Sequence, residues 1–227
     1  MKYDWILFDA DNTLFDFDRS ANEALEKTFA DFSIPFTDHH IKQYHEVNHQ
    51  CWLDFEQGKM DAVKLRSERF RLFLEKIDLD LEAPKMGRQY LDHLANCPYF
   101  LEGALSLLDR LHGKVKMAIV TNGLKEVQRQ RFQLTDIYRY FEAVVISDEI
   151  GVSKPNAAFF DFTFQQIGQP AKEIVLMVGD SLSSDITGGH RYGLATCWFN
   201  PKIKANASGI QPTYECRHLD EFEEVIK

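Results

Sequence analysis

No stretch of this sequence is apolar for long enough to cross a membrane. A spanning helix needs about 20 apolar residues in a row, and every apolar run here is far shorter. A polybasic stretch is also missing, and 26 basic against 35 acidic residues leave a formal net charge of -9. That balance disfavours a nucleic-acid polymer or an anionic membrane as partner, while leaving room for a small anion held in a local pocket. Cysteine is scarce: Cys51, Cys97, Cys197 and Cys216 stand far apart, with no CxxC spacing. Free thiols in a reducing compartment are therefore expected. No signal peptide is expected either, because the chain runs straight into a strand with an acid at Asp4. Asn206-Ala207-Ser208 fits the glycosylation pattern, but in a cytoplasmic chain the match is fortuitous. The expectation is a soluble cytoplasmic protein, without internal repeats or low-complexity segments.

What is present begins with YDWILFDADNTLFD. An apolar run from Trp5 to Phe8 ends on two acids, Asp9 and Asp11. A carboxylate there is expensive unless it is paired or bound to metal. Four more short apolar runs follow: Lys116 to Val120, Ala143 to Ile146, Ile174 to Val178 and Leu194 to Phe199. Helical patterns separate them. Glu102 to Leu111 aligns Leu105, Leu108 and Leu111, and Asn156 to Ile167 follows Pro155 and stops at Gly168. Strands alternating with helices predict a mainly parallel α/β sheet with right-handed crossovers and a ligand at its carboxyl rim.

From about Phe15 to Pro98 no strand is expected, only helices rich in aromatics. That stretch is too long for a loop. It predicts a helical cap subdomain over residues 15–98, inserted into an α/β core made of residues 1–14 and 99–227. The cap is expected to stand over the acids like a lid. Its second helix carries Tyr44, Asn48, Trp52 and Phe55 in one band, suited to stacking on a base and hydrogen-bonding its edge, or simply to packing the cap. His45 and His49 are spaced i, i+4, but no HExxH pattern or third ligand accompanies them, so a solvated helix face is expected rather than zinc. Gly188-Gly189 suits close helix-to-sheet approach.

The strand ends share a chemistry. They carry Asp9-Ala10-Asp11-Asn12-Thr13, Thr121-Asn122-Gly123, Ser153-Lys154-Pro155 and Gly179-Asp180-Ser181-Leu182-Ser183-Ser184-Asp185. On one rim these gather four acids, hydroxyls, backbone amides and a lysine. Several carboxylates cannot stay ionised together without a cation, and oxygen ligands suit Mg²⁺. Asp9 is then a natural nucleophile toward a phosphate monoester, and Asp11 an acid and base. Thr121, amides near Asn122, and Lys154 would hold the phosphoryl oxygens.

The whole chain resembles the haloacid dehalogenase-like (HAD) phosphohydrolase superfamily. DADNT fits its DxDxT motif, VTNG its Thr/Ser motif, Lys154-Pro155 its lysine motif and GDSLSSD its GDxxxxD motif. The resemblance implies a Rossmann-like parallel core with a tetrahelical cap. It implies Asp9 as nucleophile, Asp11 as acid/base, and Thr121 and Lys154 on phosphate. Mg²⁺ would be ligated by Asp9, Asp180 and the backbone carbonyl of Asp11, with Asp185 in support behind them. Within the superfamily, DAD-x-TLFDF and MVGDS-x-x-SDI-x-GG-x-x-x-GL-x-TCW-x-N look most like the pyrimidine 5'-nucleotidases. The expected partner is a small phosphate monoester, and the expected assembly a monomer or homodimer. The alternatives are a phosphatase or phosphomutase for another small ester such as phosphoglycolate, a metal-free 2-haloacid dehalogenase, and a receiver-type phospho-acceptor domain. Asp11 and Asp180 weigh against the dehalogenase, and the early adjacent acids and long insertion against the receiver.

Overall fold

The computed structural model describes residues 2–206 and 208–225; Ala207, the middle of the Asn-Ala-Ser triplet, lies outside them. Six strands form one sheet: β1 (Trp5–Phe8), β2 (Lys116–Thr121), β3 (Ala143–Ile146), β4 (Val175–Gly179), β5 (Ala195–Phe199) and β6 (Tyr214–Cys216). Their order is β3-β2-β1-β4-β5-β6, and every pairing is parallel. This is a Rossmann-like α/β arrangement. The chain steps outward from β1 through β2 to β3, then crosses back to β4 on the other side of β1. The strand order therefore reverses between β1 and β4, the place where such sheets receive ligands.

The core strands are apolar because helices cover both faces. Trp5 and Leu7 of β1, Ala118 and Val120 of β2, and Val175 and Met177 of β4 form one side. Against it pack Phe159, Phe160 and Phe164 of a helix over Ala157–Gln166, which Asn156 caps by accepting from Ala158 N–H (3.0 Å). Ala104–Leu111 forms a helix that buries Ala104, Leu107, Leu108 and Leu111. Leu105, expected on that face, is exposed, because 104, 107, 108 and 111 complete the 3.6-residue stripe without it. The strand β6 was not expected at all. It has three residues and, among the described residues, pairs only with β5.

The chain divides into two compact units. The sheet unit takes the chain up to Phe17, Tyr99–Lys125 and everything from Thr135 on; the helical unit takes Asp18–Pro98 together with Glu126–Leu134. Four helices build most of the helical unit: α1 (Phe17–Asp31), α2 (Asp38–Glu56), α3 (Ala62–Lys76) and α4 (Ala83–Ala95). The helix α5 (Lys125–Leu134) connects β2 to β3 in sequence, yet most of it groups with these four. Its Glu126 takes a bidentate pair from Arg66 of α3, at 2.7 and 2.9 Å. Within the unit Leu25 and Phe29 of α1, Tyr44 of α2, Phe70 and Phe73 of α3 and Tyr90 of α4 are buried. The band expected along α2 divides: Tyr44 and Asn48 are buried, while Trp52 and Phe55 are half-buried and pack edge to face. His45 accepts or donates one hydrogen bond with Asn22 (2.7 Å) and His49 is exposed.

Gly188 and Gly189 show how closely the helix after β4 approaches its neighbours. A Cβ at Gly189 would lie 2.9 Å from Thr196 Cγ2 and 3.0 Å from Met177 Cβ; one at Gly188 would lie 2.8 Å from the Phe160 ring. Both β4 and β5 would have to yield to a methyl group at residue 189. Gly189→Ala should therefore cost about 1–3 kcal/mol, the usual range for overpacking, in urea denaturation. An unchanged midpoint would show that the helix can move away freely.

Candidate active site

Three strand ends meet at Lys154. The ammonium donates to Asp9 Oδ1 (2.7 Å), to Asp185 Oδ1 (2.7 Å) and to the Val120 carbonyl (2.6 Å), so all three N–H bonds are used. Lys154 and Asp185 are each 1 % exposed and Asp9 is 8 % exposed. Asn122 fixes this lysine from the backbone: its Nδ2 donates to the Lys154 carbonyl and its Oδ1 accepts the Lys154 N–H, both at 2.9 Å. The Asn122 side chain is thus committed to Lys154, and any phosphate role must fall to its backbone amide. Thr121 is buried at the end of β2, where its hydroxyl accepts Gly123 N–H (3.0 Å).

The first acid loop turns back on itself. Asn12 adopts a left-handed conformation (φ 59°), and Leu14 and Phe15 both donate to the Ala10 carbonyl. The turn tucks Thr13 inward, fully buried. Its hydroxyl reaches Asp9 Oδ2 (3.4 Å) and accepts the Asp180 N–H (3.1 Å), tying the loop after β1 to the loop after β4. Asp11 is half-buried on this turn.

After β4 the chain enters a π-helical turn over Leu182–Ile186, a feature frequent at functional sites. Ser181 caps it by accepting Ser184 N–H (3.2 Å), and Ser181 N–H donates to Asp185 Oδ2 (3.1 Å). Asp185 crosses directly over Gly179, where a Cβ would fall 2.1 Å from its Oδ2. Only glycine allows that crossing. Trp198 of β5 donates from Nε1 to the Asp180 carbonyl (2.9 Å), and Lys204 Nζ lies 3.9 Å from Asp180 Oδ2.

The electrostatics follow from burial. Asp9 is pushed well above the usual carboxylate range by desolvation, opposed by Lys154 and reinforced by Asp185 and Asp180. Asp180 is pushed up to about 7, first by burial, then by Asp185, with Lys204 and Lys154 opposing and Asp11 adding to the rise. Burial alone would pull the Lys154 ammonium down, but Asp185 and Asp9 outweigh it and hold it above its ordinary value. Carboxylate oxygens of Asp9, Asp180 and Asp185 all lie within 4.8 Å of one another. The buried Lys154 and the more distant, exposed Lys204 leave these three acids with surplus negative charge, so the residues present fit a divalent cation with oxygen ligands.

Of the residues singled out in the sequence, Asp9, Lys154, Asp180 and Asp185 come together, with Thr121 at the end of β2, the strand next to β1, and Asn122 directly after it. Asp185 brings an oxygen into the same acidic group while its Oδ1 accepts from Lys154 and its Oδ2 from Ser181 N–H. The connecting roles of Thr13, Trp198 and Lys204 were missed. Thr13 had a signal, since it is the Thr of DADNT; Trp198 and Lys204 had none.

Comparison with known proteins decides the family. The model of the haloacid dehalogenase-like hydrolases matches residues 3–193. The chain belongs to this family. It is 40 % identical over 226 residues to the pyrimidine 5'-nucleotidase YjjG of Escherichia coli, covering 100 % of this chain and 99 % of YjjG. It is 33 % identical to the pyrimidine 5'-nucleotidase PynA of Streptococcus pneumoniae, over 95 % of this chain and 91 % of PynA. A crystal structure of the HAD-hydrolase YfnB of Bacillus subtilis, bound to magnesium, superposes with a TM-score of 0.94 at 33 % identity, covering both chains completely. The protein is a hydrolase with the HAD fold, closely related to pyrimidine 5'-nucleotidases.

Removing Lys154 tests the charge balance. Lys154→Met leaves Asp9 and Asp185 buried without their shared counter-ion, which should cost about 3–5 kcal/mol at pH 8. Protonation relieves that repulsion, and the raised Asp9 accepts a proton above the ordinary carboxylate range. The loss should therefore shrink as the pH falls towards 5. Equal losses at both ends, measured by urea denaturation, would mean that packing rather than charge is what Lys154 supplies.

Proposed function

We propose that this hydrolase is a Mg²⁺-dependent phosphatase that cleaves pyrimidine nucleoside 5'-monophosphates through an aspartyl-phosphate. The observation that carries the chemistry is the gathering of Asp9, Asp180 and Asp185 round one buried lysine at the carboxyl ends of β1 and β4. The substrate class is supported by the full-length similarity to YjjG and PynA.

In this reading Asp9 attacks phosphorus, and its new O–P bond replaces the bond to the 5'-oxygen of the nucleoside. Asp11, protonated, gives its proton to the departing oxygen. A water then attacks the same phosphorus, Asp11 takes its proton, and the Asp9 O–P bond breaks to release inorganic phosphate. Thr121 and the amide of Asn122 hold phosphoryl oxygens, and Lys154, whose N–H bonds face Asp9, Asp185 and the Val120 carbonyl, adds positive charge beside them or exchanges one of those bonds for a phosphoryl oxygen. Thr13 and Lys154 orient the Asp9 carboxylate through its two oxygens. Asp9, Asp180 and the Asp11 carbonyl would hold Mg²⁺, with Asp185 beside them. The ion supplies neutralisation, which lets an anionic nucleophile approach an anionic ester. The location is read as cytoplasmic; among the described residues no helix is long and apolar enough to cross a membrane.

Asp9→Asn should abolish turnover while leaving the melting temperature near that of the parent. Substantial residual activity in protein shown by mass spectrometry to be free of deamidation would remove Asp9 from the nucleophile role. Asp11→Asn should lower kcat by about 10²-fold or more, the low end for general acid–base catalysis.

Metal dependence is tested separately. EDTA should abolish activity, and Asp180→Ala should raise the Mg²⁺ concentration needed for half-maximal rate. Mg²⁺ should also raise the melting temperature of the parent and much less that of Asp180→Ala. A panel of monophosphates decides the substrate: a preference for phosphoglycolate or a sugar phosphate over pyrimidine nucleotides would move the assignment to another small ester.

A further inference from the structure

The rim of the sheet unit carries a second lysine, and it is held in the same way as the first. Asn122, directly after β2, grips the backbone of Lys154; Asn200, directly after β5, grips the backbone of Lys204. Asn200 Nδ2 donates to the Lys204 carbonyl (3.1 Å), and its Oδ1 accepts the Lys204 N–H (2.8 Å). The asparagine is 2 % exposed. Its Nδ2 also donates to Glu215 Oε1 of β6 (2.9 Å), and its backbone N–H donates to the Cys216 carbonyl (2.8 Å). The edge strand thus anchors the clamp, and the clamp anchors the lysine.

The turn between the two clamped residues is strained. Ile203 N–H closes back on the Asn200 carbonyl (3.2 Å), and Ile203 takes φ 51° while 65 % exposed. A β-branched residue in the left-handed region is an outlier, and an exposed one recovers little through burial. Such strain persists only where the surroundings over-determine it, and it collects around functional groups. What this turn delivers is the ammonium of Lys204, 3.9 Å from Asp180 Oδ2. At that separation the two form an ion pair without a hydrogen bond. The ammonium lends its charge to Asp180 and is not locked to it.

Asp180 also belongs to the acid group that fits a divalent cation. Two cations then draw on one carboxylate. They repel each other at close range, and whatever Lys204 gains from Asp180 is lost when the ion takes the same oxygens. We propose that Lys204, positioned by Asn200, is a tethered counter-ion of Asp180 that loosens the binding of a divalent cation at the acid group. The proposal rests on reading that group as the Mg²⁺ site.

Calorimetric titration of the full-length protein with MgCl₂ tests it, in the parent and in Lys204→Met, Lys204→Arg and Asn200→Ala. Lys204→Met should bind Mg²⁺ roughly 3- to 10-fold more tightly at low salt, the scale of a half-exposed charge acting on a doubly charged ion. The difference should shrink in about 1 M NaCl, where screening reaches an exposed ammonium. Lys204→Arg keeps the charge and should stay close to the parent. Asn200→Ala frees the lysine and should shift the affinity in the direction of Lys204→Met by a smaller factor. A shift in Lys204→Met that Asn200→Ala does not share would remove Asn200 from the positioning role. Should Asn200→Ala fail to fold, the variants at the exposed Lys204 decide alone. Equal Mg²⁺ affinity in the parent and Lys204→Met would overturn the proposal; if inhibition by inorganic phosphate weakens at the same time, Lys204 is a contact for a phosphoryl oxygen instead. A parent that takes up no Mg²⁺ would sink the metal reading itself, whereas Mg²⁺ binding indifferent to Lys204 would sink this inference alone.

Discussion

One buried ammonium holds the catalytic end of the sheet together. Lys154 Nζ spends its three N–H bonds on Asp9, Asp185 and the Val120 carbonyl, which join the ends of β1 and β2 to the turn after β4. A guanidinium would be too broad to place single N–H bonds on three converging acceptors, whereas an ammonium presents three rotatable donors from a point. The lysine in turn cannot wander, because Asn122 clamps its backbone at both N–H and C=O. Position is thereby passed from the regular register of the strands to the carboxylates that need it.

The same interaction leaves a deliberate imbalance. Asp9 and Asp185 share one ammonium, Asp180 lies beside them with Lys204 Nζ 3.9 Å away, and burial penalises each charge that is not matched. The rise of Asp9 and Asp180 is the local expression of that surplus. A hydrophobic isostere set would be cheaper to fold, as buried ion clusters seldom stabilise a protein by themselves. The packed core of the sheet unit, with Phe159, Phe160 and Phe164 against the strands, offsets the cost. Glycine is required where the backbone must let these groups pass: at Gly179 beneath Asp185, and at Gly188 and Gly189 against Phe160, Met177 and Thr196.

Much of this was legible in the sequence for identifiable reasons. Strands buried on both faces read as short apolar runs: the expected limits of β1 and β3 match those observed, β2 and β5 differ by one residue at one end, and β4 is shifted by one residue at both. The rim residues were legible because a polar residue directly after such a run is costly unless used. The order β3-β2-β1-β4 then brings them to one place. What escaped notice lacked such contrast. The strand β6 is three residues long and sits at the sheet edge. Thr13 belongs to the DADNT stretch, but its link to the Asp180 amide depends on the turn at Asn12 and could not be read from the motif. Trp198 looked like core, although its Nε1 supports Asp180. The grouping of Glu126–Leu134 with the helical unit could not be read from a helix that follows β2 in sequence, since its Glu126 is paired by an arginine sixty positions upstream.

The helical unit departs from its pattern in the opposite sense of charge. Its helices are amphipathic and pack aromatic on aromatic, Tyr44 against Phe70, Phe73 and Tyr90. A sequence built only to close that core would place Leu or Met at position 69 and Phe at 44 and 90, keeping the volume and losing the buried polar groups. The chain instead keeps the Arg69 guanidinium and two phenols there, adding Asn48 to hold the guanidinium's Nη1. Each unit thus carries a concentrated polar cost inside otherwise consistent packing: carboxylates in the sheet unit, and a cation with hydroxyls in the helical unit. Apolar replacement at such positions is often neutral or stabilising, so neither cluster is there for stability alone. The acids of the first are the groups that the proposed phosphoryl transfer would use.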